Sequence, residues 1–437
     1  MGKLLSGGLI LRSLAENPQD KERFAEFMHN AFENDGDWRE SGFTAWINEL
    51  LYTHPSMNLE HVWCVVDPAN NGKIVSGLFL IPQIWRYEDI EIPVGRPEIV
   101  GTLPDYRRRG LVRELFDVLH KYSEQQGDLI QAITGIPYFY RKFGYGVATD
   151  LGLRGQIPFT AIPKVNDDET PTYTLRPAEI SDIPSFLEFE QSASRHALLT
   201  TARDATLWHY ELTGRNPKSP WYMHYHTICN QNHDPVGFVG FNNAESAKHS
   251  MIVWQWLIGD DANYLETFED ILRAMRDIAK SNDEKIVTVD FYSTLHPALV
   301  QLLKRQYGAS MRDRMYAWYL RIPDHVKFIQ RIAPVLECRL VGSAARGYTG
   351  KLRINFYQRD DLLIVFNKGK ITEVKLTREE GYPNARFPHD TWINLVFGAN
   401  TEAEIQNVLP DTMSTAESAV LLSILFPKKK SSLFAVN

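Results

Sequence analysis

The arginine-rich segment Arg107-Arg108-Arg109-Gly110-Leu111-Val112 could bind a phosphate. It separates an apolar stretch that ends at Thr102 from a helical pattern. A turn that enters a helix leaves backbone N–H groups unpaired at the positive end of the helix dipole. Glycine lets a phosphate approach such a backbone closely, and arginines add charge and bidentate donors. Taken alone, the arginines are explained better by a solvated surface loop.

The surrounding pattern predicts a strand, a basic turn and then a helix. Apolar stretches predict strands over His61–Val66, Lys73–Leu80 and Pro97–Thr102, and Asn71-Gly72 predicts a hairpin between the first two. A helix is expected from Arg109 to Gln126, with Gly127 ending it. The phosphate-binding turn would therefore lie at the start of this helix.

The rest of the chain predicts three units. An opening of strand and helix at Leu9–Arg12 recurs at Tyr173–Pro177, which indicates a weak duplication of one α/β unit. After Ile322-Pro323 the pattern changes to a helix, three alternating strands and further helices, which is typical of an α+β unit. We expect a first unit over 1–157, a linker over 158–171, a second unit over 172–323 and a third over 324–437.

Composition excludes several classes of protein. The 437 residues suffice for about three domains, and 44% of them are hydrophobic. The formal charge of −7 disfavours a chain-wide preference for nucleic acid. The three cysteines, which lie far apart and are odd in number, indicate a reducing compartment. No apolar run is long enough to span a bilayer, so we expect a cytoplasmic protein.

His224 and His226 share a strand face without further ligands at metal spacing, so no metal site is predicted.

A second segment, Phe139-Tyr140-Arg141-Lys142-Phe143-Gly144-Tyr145-Gly146, changes the interpretation of the first. Together the two resemble the signature of the Gcn5-related N-acetyltransferase (GNAT) superfamily. That signature is an Arg/Gln-x-x-Gly-x-Gly/Ala turn after the fourth strand, followed by Phe-Tyr-x-x-x-Gly-Phe. Val112 departs from it, because it replaces the small residue at the end of the turn.

The resemblance narrows to the enhanced-intracellular-survival acetyltransferases, matched at Tyr106–Leu111 and Tyr140–Gly146. It implies two tandem GNAT domains, the second degenerate, followed by a sterol-carrier-like α+β domain. It also implies a homo-oligomer, since these relatives assemble as hexamers. Acetyl-coenzyme A would be the co-substrate, without a metal. The acceptor would be a primary amine on a small cationic molecule or a lysine side chain.

The resemblance assigns residues to the cofactor. In the superfamily the fourth strand diverges from the fifth, and pantetheine lies in the gap. The pantetheine arm would meet Val100, Gly101 and Thr102, and the pyrophosphate would meet the backbone from Arg108 to Arg113. The cofactor-binding residues expected in full are Val100, Gly101, Thr102, Arg108, Arg109, Gly110, Leu111, Val112, Arg113, Gly135 and Ile136.

Catalytic roles follow from the same resemblance. Tyr140 matches the tyrosine that protonates the leaving thiolate, whose pKa as a free thiol is about 8.5. Two carboxylates are candidates for the base that deprotonates the amine. The enhanced-intracellular-survival relatives use their C-terminal carboxylate, here that of Asn437, although they commonly end in an aromatic residue. Superfamily relatives often place a glutamate where Glu98 stands, and a solvated edge carboxylate would explain Glu98 equally well.

Acceptor preference would come from the loop after the first helix, where acids beside an aromatic residue suit a cationic amine. Its candidate residues are Glu33, Asp35, Asp37 and Trp38, each of which could also belong to an ordinary polar loop. We therefore expect an N-acetyltransferase that works by direct transfer in a ternary complex. The alternative is a non-catalytic acyl-coenzyme A or lipid-binding protein that uses the third unit. A tandem peptidoglycan aminoacyltransferase is less consistent with the retained phosphate turn.

Overall fold

Three β-sheets with flanking helices make up the protein. The computed structural model describes residues 2–33, 37–136, 138–151, 154–164, 170–242, 249–283, 285–291, 297–312 and 317–434. The predicted fold class, α/β for the first two units and α+β for the third, is confirmed. Among the described residues, no helix is long and apolar enough to cross a membrane.

The first unit contributes most of a nine-stranded sheet. Its elements in chain order are β1 (Lys3–Leu4), β2 (Ile10–Ser13), α1 (Lys21–Phe32), α2 (Gly42–Asn48), β3 (Val62–Asp67), β4 (Lys73–Tyr87), β5 (Ile90–Thr102), α3 (Leu111–Gln126), β6 (Ile130–Thr134) and β7 (Gly146–Asp150). A π-helical turn, Glu49–Thr53, follows α2, and a 3-10 turn, Tyr140–Phe143, precedes β7.

The second unit forms most of a seven-stranded sheet. Its elements are β8 (Arg154–Pro158), β9 (Thr174–Pro177), α4 (Ile183–Ser194), β10 (Leu199–Ala202), α5 (Ala205–Thr213), β11 (His224–Cys229), β12 (Pro235–Asn242), β13 (Ser250–Ile258), α6 (Tyr264–Asn282), β14 (Thr288–Phe291), α7 (Pro297–Arg305), β15 (Ser310–Arg312) and β16 (Ala317–Arg321).

The third unit packs helices against a five-stranded sheet. Its elements are α8 (His325–Val341), β17 (Gly350–Asn355), β18 (Asp361–Asn367), β19 (Lys370–Thr377), β20 (Ala385–Arg386), α9 (His389–Val396), α10 (Glu402–Val408), β21 (Met413–Ser414) and α11 (Ala416–Leu425). The strand order of its sheet is β19-β18-β17-β20-β21.

The local signals explain these elements. Asn71 and Gly72 both adopt positive φ, 51° and 66°, as the predicted hairpin requires. Gly127 ends α3 at φ 91° and donates its N–H to the last turn of the helix. The strands predicted at Lys73–Leu80 and Pro97–Thr102 are confirmed, but both belong to a longer hairpin of β4 and β5. The part of the hairpin nearest its turn, residues 81–87 and 90–96, was not predicted. Prolines 82 and 93 lie there, and proline lacks the N–H that a strand donates.

Two strands of the second unit, β10 and β16, join the sheet of the first unit. The first sheet has the order β1-β2-β3-β4-β5-β6-β16-β7, with β10 paired to β4. The second has the order β15-β8-β14-β13-β12-β11-β9. The first sheet thus takes β16 and β10 from beyond the predicted linker, and the predicted boundary at 157 falls inside β8. The unit boundaries themselves stay predictions.

The third unit covers one face of the first sheet. A single hydrophobic core joins Trp85 and Trp318 of the first sheet to Phe328, Trp392 and Phe397 of the third unit. All five side chains are fully buried. Packed side chains fill this part of the third unit. They also hold the part of the β4–β5 hairpin nearest its turn in place.

Candidate active site

A gap opens between β5 and β6. Strand β5 pairs with β4 along its length, from Tyr87↔Ile90 to Ser76↔Thr102. It pairs with β6, in parallel, only at Val94↔Ile130 and Gly95↔Gln131. Beyond Gly95 the two strands therefore diverge. The predicted pantetheine residues Val100, Gly101 and Thr102 lie on the diverging half of β5, where an extended ligand can pair with strand backbone.

A β-bulge lies in the wall of this gap. The register shifts by one residue, because Gly77 is opposite Gly101 whereas Phe79 is opposite Glu98. Within the bulge Ile99 has φ 49°, a left-handed conformation that is costly for a β-branched residue. Bulges of this kind redirect backbone groups beside active sites. Nothing in the sequence around Ile99 indicated it.

The arginine turn lies at the outer end of the gap. Arg108 and Gly110 have positive φ, 63° and 78°, and α3 begins at Leu111. The first N–H groups of α3 therefore point out of the helix at its positive end. A Cβ built on Gly110 would meet no atom within 4 Å, so the approach to these groups is open. Arg113 is exposed on the first turn, and Val112 is partly buried in the first-unit core.

Two of the arginines brace the turn itself. The Arg107 Nε donates to the Thr102 carbonyl at 3.1 Å, which ties the turn to the end of β5. Arg109 donates to the Asp105 carbonyl at 2.9 Å and stacks on the Tyr106 ring, 4.6 Å from its centroid. Tyr106 in turn donates to Asp67 at 2.6 Å. This leaves Arg108 and Arg113 as exposed cations beside the helix start.

Tyr140 lies over the end of β6. Its side chain is 6% exposed and packs against Phe116 of α3 and Tyr319 of β16. A Cβ on Gly135 would be 2.7 Å from the Tyr140 ring and 3.3 Å from its hydroxyl oxygen. Only glycine at 135 permits this approach, so the phenol lies next to the strand end that borders the gap. The neighbouring Ile136 is 60% exposed.

A buried polar pair behind Tyr140 was missed by sequence reasoning. His120 Nε2 and the Tyr145 hydroxyl are 2.9 Å apart, and the Tyr140 and Tyr145 ring centroids are 6.3 Å apart. Burial lowers the pKa of His120 to about 3 and raises the pKa of Tyr145. Both groups are therefore neutral at physiological pH. A single histidine on the apolar face of a helix carries no signal that would have found it.

Glu98 is paired with a buried guanidinium. Its carboxylate accepts from Arg96, which is 1% exposed and lies 5.2 Å from the Trp318 ring centroid. Burial lowers the pKa of Arg96, and Glu98 counteracts that effect. The carboxylate lies on the same face of β5 as Gly101, beside the bulge.

The last described residues run towards the gap. Ser432 donates its N–H to Leu199 at 2.7 Å, and Phe434 exchanges two hydrogen bonds with the Thr201 hydroxyl at 2.9 and 3.0 Å. The bridge from Ser432 to Thr200 is parallel, and β10 is antiparallel to β4. Residues 432–434 therefore run antiparallel to β4, in the direction from Tyr87 to Ile84, and this direction leads towards the bulge. Asn437 lies outside the described residues.

The predicted acceptor residues lie in two places. Phe32 at the end of α1 would be 3.1 Å from a Cβ on Gly101, so Glu33, the next residue, lies beside the gap. Glu33 accepts a hydrogen bond from Ser41. Trp38 instead lines a cavity of about 350 Å³ together with Glu22, at the other end of α1. Asp37 accepts from the Arg39 N–H at 3.1 Å, and Asp35 lies outside the described residues.

In the second unit, the position that corresponds to the gap is filled. Strands β13 and β14 are parallel from Ser250↔Thr288 to Val253↔Phe291, where the described part of β14 ends, and β13 continues to Ile258 paired with β12. The Trp256 ring stacks on Phe268 at 5.3 Å and on Phe291 at 6.2 Å. The turn before α6 carries Asp260 and Asp261 where the first unit has arginines. Anionic phosphates would be repelled there.

Comparisons with known proteins agree with this geometry. The family model described as acetyltransferase (GNAT) domain matches residues 15–148. The chain is similar to a GCN5-related N-acetyltransferase from Anabaena variabilis, at 17% identity and a TM-score of 0.68, over 98% of this chain and 99% of that one. A probable N-acyltransferase of unknown function from Enterococcus faecalis gives 13% identity and a TM-score of 0.71, over 98% and 100%.

Eis1 from Mycobacterium abscessus is also similar, at 16% identity and a TM-score of 0.59, over 98% of this chain and 99% of that one. No curated protein matches the chain in sequence. Likeness at these identities establishes a shared fold over nearly the whole length. Residues 15–148 match the GNAT family itself and contain the gap, the bulge and the arginine turn. The chain is therefore an acyltransferase with a GNAT acetyltransferase domain in its first unit.

Proposed function

We propose that the protein transfers an acetyl group from acetyl-coenzyme A to a primary amine, by direct attack in a ternary complex. The observation that carries this proposal is the β5–β6 gap together with the open helix start at Gly110, which Arg107 ties to the end of β5 through the Thr102 carbonyl. An extended pantetheine arm fits the gap, and a pyrophosphate fits the helix start. The two features lie in the order that one acyl-coenzyme A molecule requires.

The pantetheine arm and the pyrophosphate of the co-substrate would each bind to groups of complementary chemistry. Strand backbone at Val100, Gly101 and Thr102 would pair with the amides of the pantetheine arm. The backbone from Arg108 to Arg113 would bind the pyrophosphate through the N–H groups that precede Arg113, since the Arg113 N–H donates to the Gly110 carbonyl at 3.0 Å. The exposed arginines would add charge. Open space at Gly110 supports this assignment, since a phosphate needs close access to the backbone.

The reaction needs little beyond positioning and proton transfer. The amine nitrogen attacks the thioester carbonyl, and its C–S bond breaks as the tetrahedral intermediate collapses. A backbone N–H redirected by the bulge at Ile99 would stabilise the oxyanion. Tyr140 would give its hydroxyl proton to the departing thiolate, and its place over the end of β6 supports this role. The amide keeps the acetyl group, and coenzyme A leaves as a thiol.

Our proposed base is the main-chain carboxylate of Asn437. The direction of residues 432–434 along β10 supports it, because the segment heads towards the bulge. Glu98 is the second candidate, but its ion pair with Arg96 favours a different role. We propose that Glu98 instead attracts the ammonium form of the acceptor. The packed side chains of the third unit do not favour the alternative of a lipid-binding protein.

Titration with coenzyme A and an amine acetylation assay test the proposal together. We expect coenzyme A to bind and acetyl-coenzyme A to be consumed only when an amine is present. A panel of polyamines, aminoglycosides and lysine peptides covers the expected acceptors. Binding of coenzyme A without acetylation of any primary amine would instead support a non-catalytic acyl-coenzyme A binder.

A further inference from the structure

The segment that carries Tyr140 lies against a helix of the third unit. Tyr140 begins a 3-10 turn, and strand β7 follows from Gly146 at the end of the first sheet. Helix α9 contacts this segment at Arg141, one residue after the proposed acid, and again at the start of β7. The third unit therefore reaches the main chain on both sides of the turn.

The start of β7 touches α9 because residue 146 is glycine. A Cβ built there would be 2.9 Å from both the carbonyl oxygen of Asp390 and the Cβ of Ile393. Neither atom can swing away, because one belongs to the main chain and the other is bonded to it. Asn394, the next residue of α9, donates its side-chain N–H to the carbonyl of Val147. Helix α9 thus fixes where β7 begins.

An ion pair holds the turn itself. The Arg141 guanidinium donates to the carboxylate of Asp390 in the first turn of α9. Both side chains are partly exposed, so the pair contributes orientation rather than much stability. The turn is closed by the Gly144 N–H, which donates to the Arg141 carbonyl at 3.2 Å. Since Arg141 is the residue next to Tyr140, a movement of α9 is transmitted to the phenol.

Ring packing alone constrains Tyr140 too loosely for proton transfer. Its ring lies 5.9 Å from the Phe116 centroid and 6.3 Å from that of Tyr319. Aromatic contacts tolerate centroid distances of about 4.5–7 Å, whereas a general acid must come within about 2.6–3.2 Å of the atom that it protonates. The contacts from α9 supply the additional constraint on the main chain of the turn.

We infer that helix α9 positions Tyr140, and that the third unit takes part in acetyl transfer through Asp390 and Asn394 as positioning residues. The inference rests on the proposed role of Tyr140 as the general acid. It gives the third unit a task in the reaction that needs no ligand of its own.

The first test removes the charge that Arg141 contacts. Asp390→Asn should lower the single-turnover rate at saturating acetyl-coenzyme A about 2- to 5-fold, the range of an exposed ion pair, with coenzyme A affinity unchanged. Asp390→Glu should retain most of the rate, because the carboxylate remains. In the Tyr140→Phe background Asp390→Asn should cause no further loss, since the hydroxyl on which it acts is gone.

The second test separates α9 from β7. The methyl group added by Gly146→Ala has to displace the α9 main chain or β7, so the single-turnover rate should fall about 10- to 100-fold while coenzyme A still binds. Gly342→Ala is the matched control in the third unit. A Cβ at this position meets no atom within 4 Å, and its φ of −94° suits alanine, so the rate should be unchanged.

The outcomes separate this inference from the function beneath it. If a thermal melt shows that Gly146→Ala unfolds the protein, the variants of the partly exposed Asp390 still report on the positioning. Wild-type rates in both Asp390→Asn and Gly146→Ala would overturn the inference while acetyl transfer stands. An equal loss from Asp390→Asn with and without the Tyr140 hydroxyl would do the same. A wild-type rate in Tyr140→Phe itself would remove the acid from the proposed function, and the inference with it.

Discussion

Replacement of Gly110 by aspartate should abolish tight binding of coenzyme A without harming the fold. Gly110 is the residue before α3, has φ 78°, and has open space around its Cβ position. Asparagine and aspartate tolerate this left-handed conformation better than other residues. A carboxylate at a helix N-terminus stabilises the helix by about 0.3–1 kcal/mol. Because any side chain is strained at this positive φ, that gain is offset, and thermal stability should stay close to the wild-type value.

The expected loss of affinity is electrostatic. A carboxylate and a phosphate charge about 6 Å apart repel by about 3 kcal/mol at an effective dielectric constant near 20. This corresponds to a dissociation constant roughly a hundredfold higher, and salt near physiological strength would reduce the effect towards tenfold. The titration of coenzyme A into each variant is followed by calorimetry.

Gly110→Asn is the matched control, because it has the same size and backbone tolerance without the charge. Its dissociation constant should stay within about threefold of wild type, since only the steric part remains. The gap between the two variants should narrow at high salt. Equal weakening by both substitutions, or wild-type affinity in Gly110→Asp, would refute a phosphate at this helix start.

Further outcomes follow from the same geometry. Tyr140→Phe should keep acetyl-coenzyme A affinity and lower kcat by up to about 10²–10⁴-fold, measured at saturation with chemistry rate-limiting; an unchanged kcat assigns Tyr140 to packing alone. Calorimetry should give one coenzyme A per chain, and two would mean that the second unit also binds. Residues appended after Asn437 should suppress kcat, whereas Glu98→Gln should mainly raise KM for a cationic amine; full activity in both would leave neither carboxylate a role. Burial raises the pKa of Asp128 to about 6, so the stability from its neutral form is complete below pH 4 and lost as pH rises through 6. Asp128→Asn should therefore raise the free energy of unfolding at pH 7 by about 1–2 kcal/mol, with no gain at pH 4 in denaturant titrations.

Elements with strong local signals were predictable from the sequence. The helix over Leu111–Gln126 follows from its apolar periodicity, and the hairpin at Asn71-Gly72 follows from two residues that accept positive φ. The α+β order of the third unit was read correctly for the same reason: its strands alternate and its helices carry caps such as Thr401. These signals act over a few residues and do not depend on the rest of the fold.

Features set by distant parts of the chain were not predictable. The bulge at Ile99 is fixed by strand β4, whose register with β5 shifts by one residue. The entry of β16 into the first sheet pairs Trp318 with Thr134, far apart in sequence. The partnership of Glu98 with Arg96 depends on that same insertion, because Trp318 packs over the guanidinium. Local propensity carries no information about such pairings.

The positions of the predicted acceptor residues also depend on distant parts of the chain. Glu33 and Trp38 are five residues apart in the sequence, yet Glu33 lies beside the gap at the end of α1, whereas Trp38 lies near Glu22 at the start of that helix. The contact between Trp46 and Trp221 has no signature in the sequence either, because the two rings meet across the junction of two units.

Transfer of a labelled acetyl group tests the central claim most directly. The protein is incubated with acetyl-coenzyme A carrying ¹³C in its acetyl group and with a mixture of primary amines, and the amines are analysed by mass spectrometry. Acetyl transfer through the first unit predicts the label on at least one amine with the wild-type protein, and much less label with Gly110→Asp when acetyl-coenzyme A is subsaturating. Unlabelled amines, in a protein that calorimetry shows to bind coenzyme A, would contradict it.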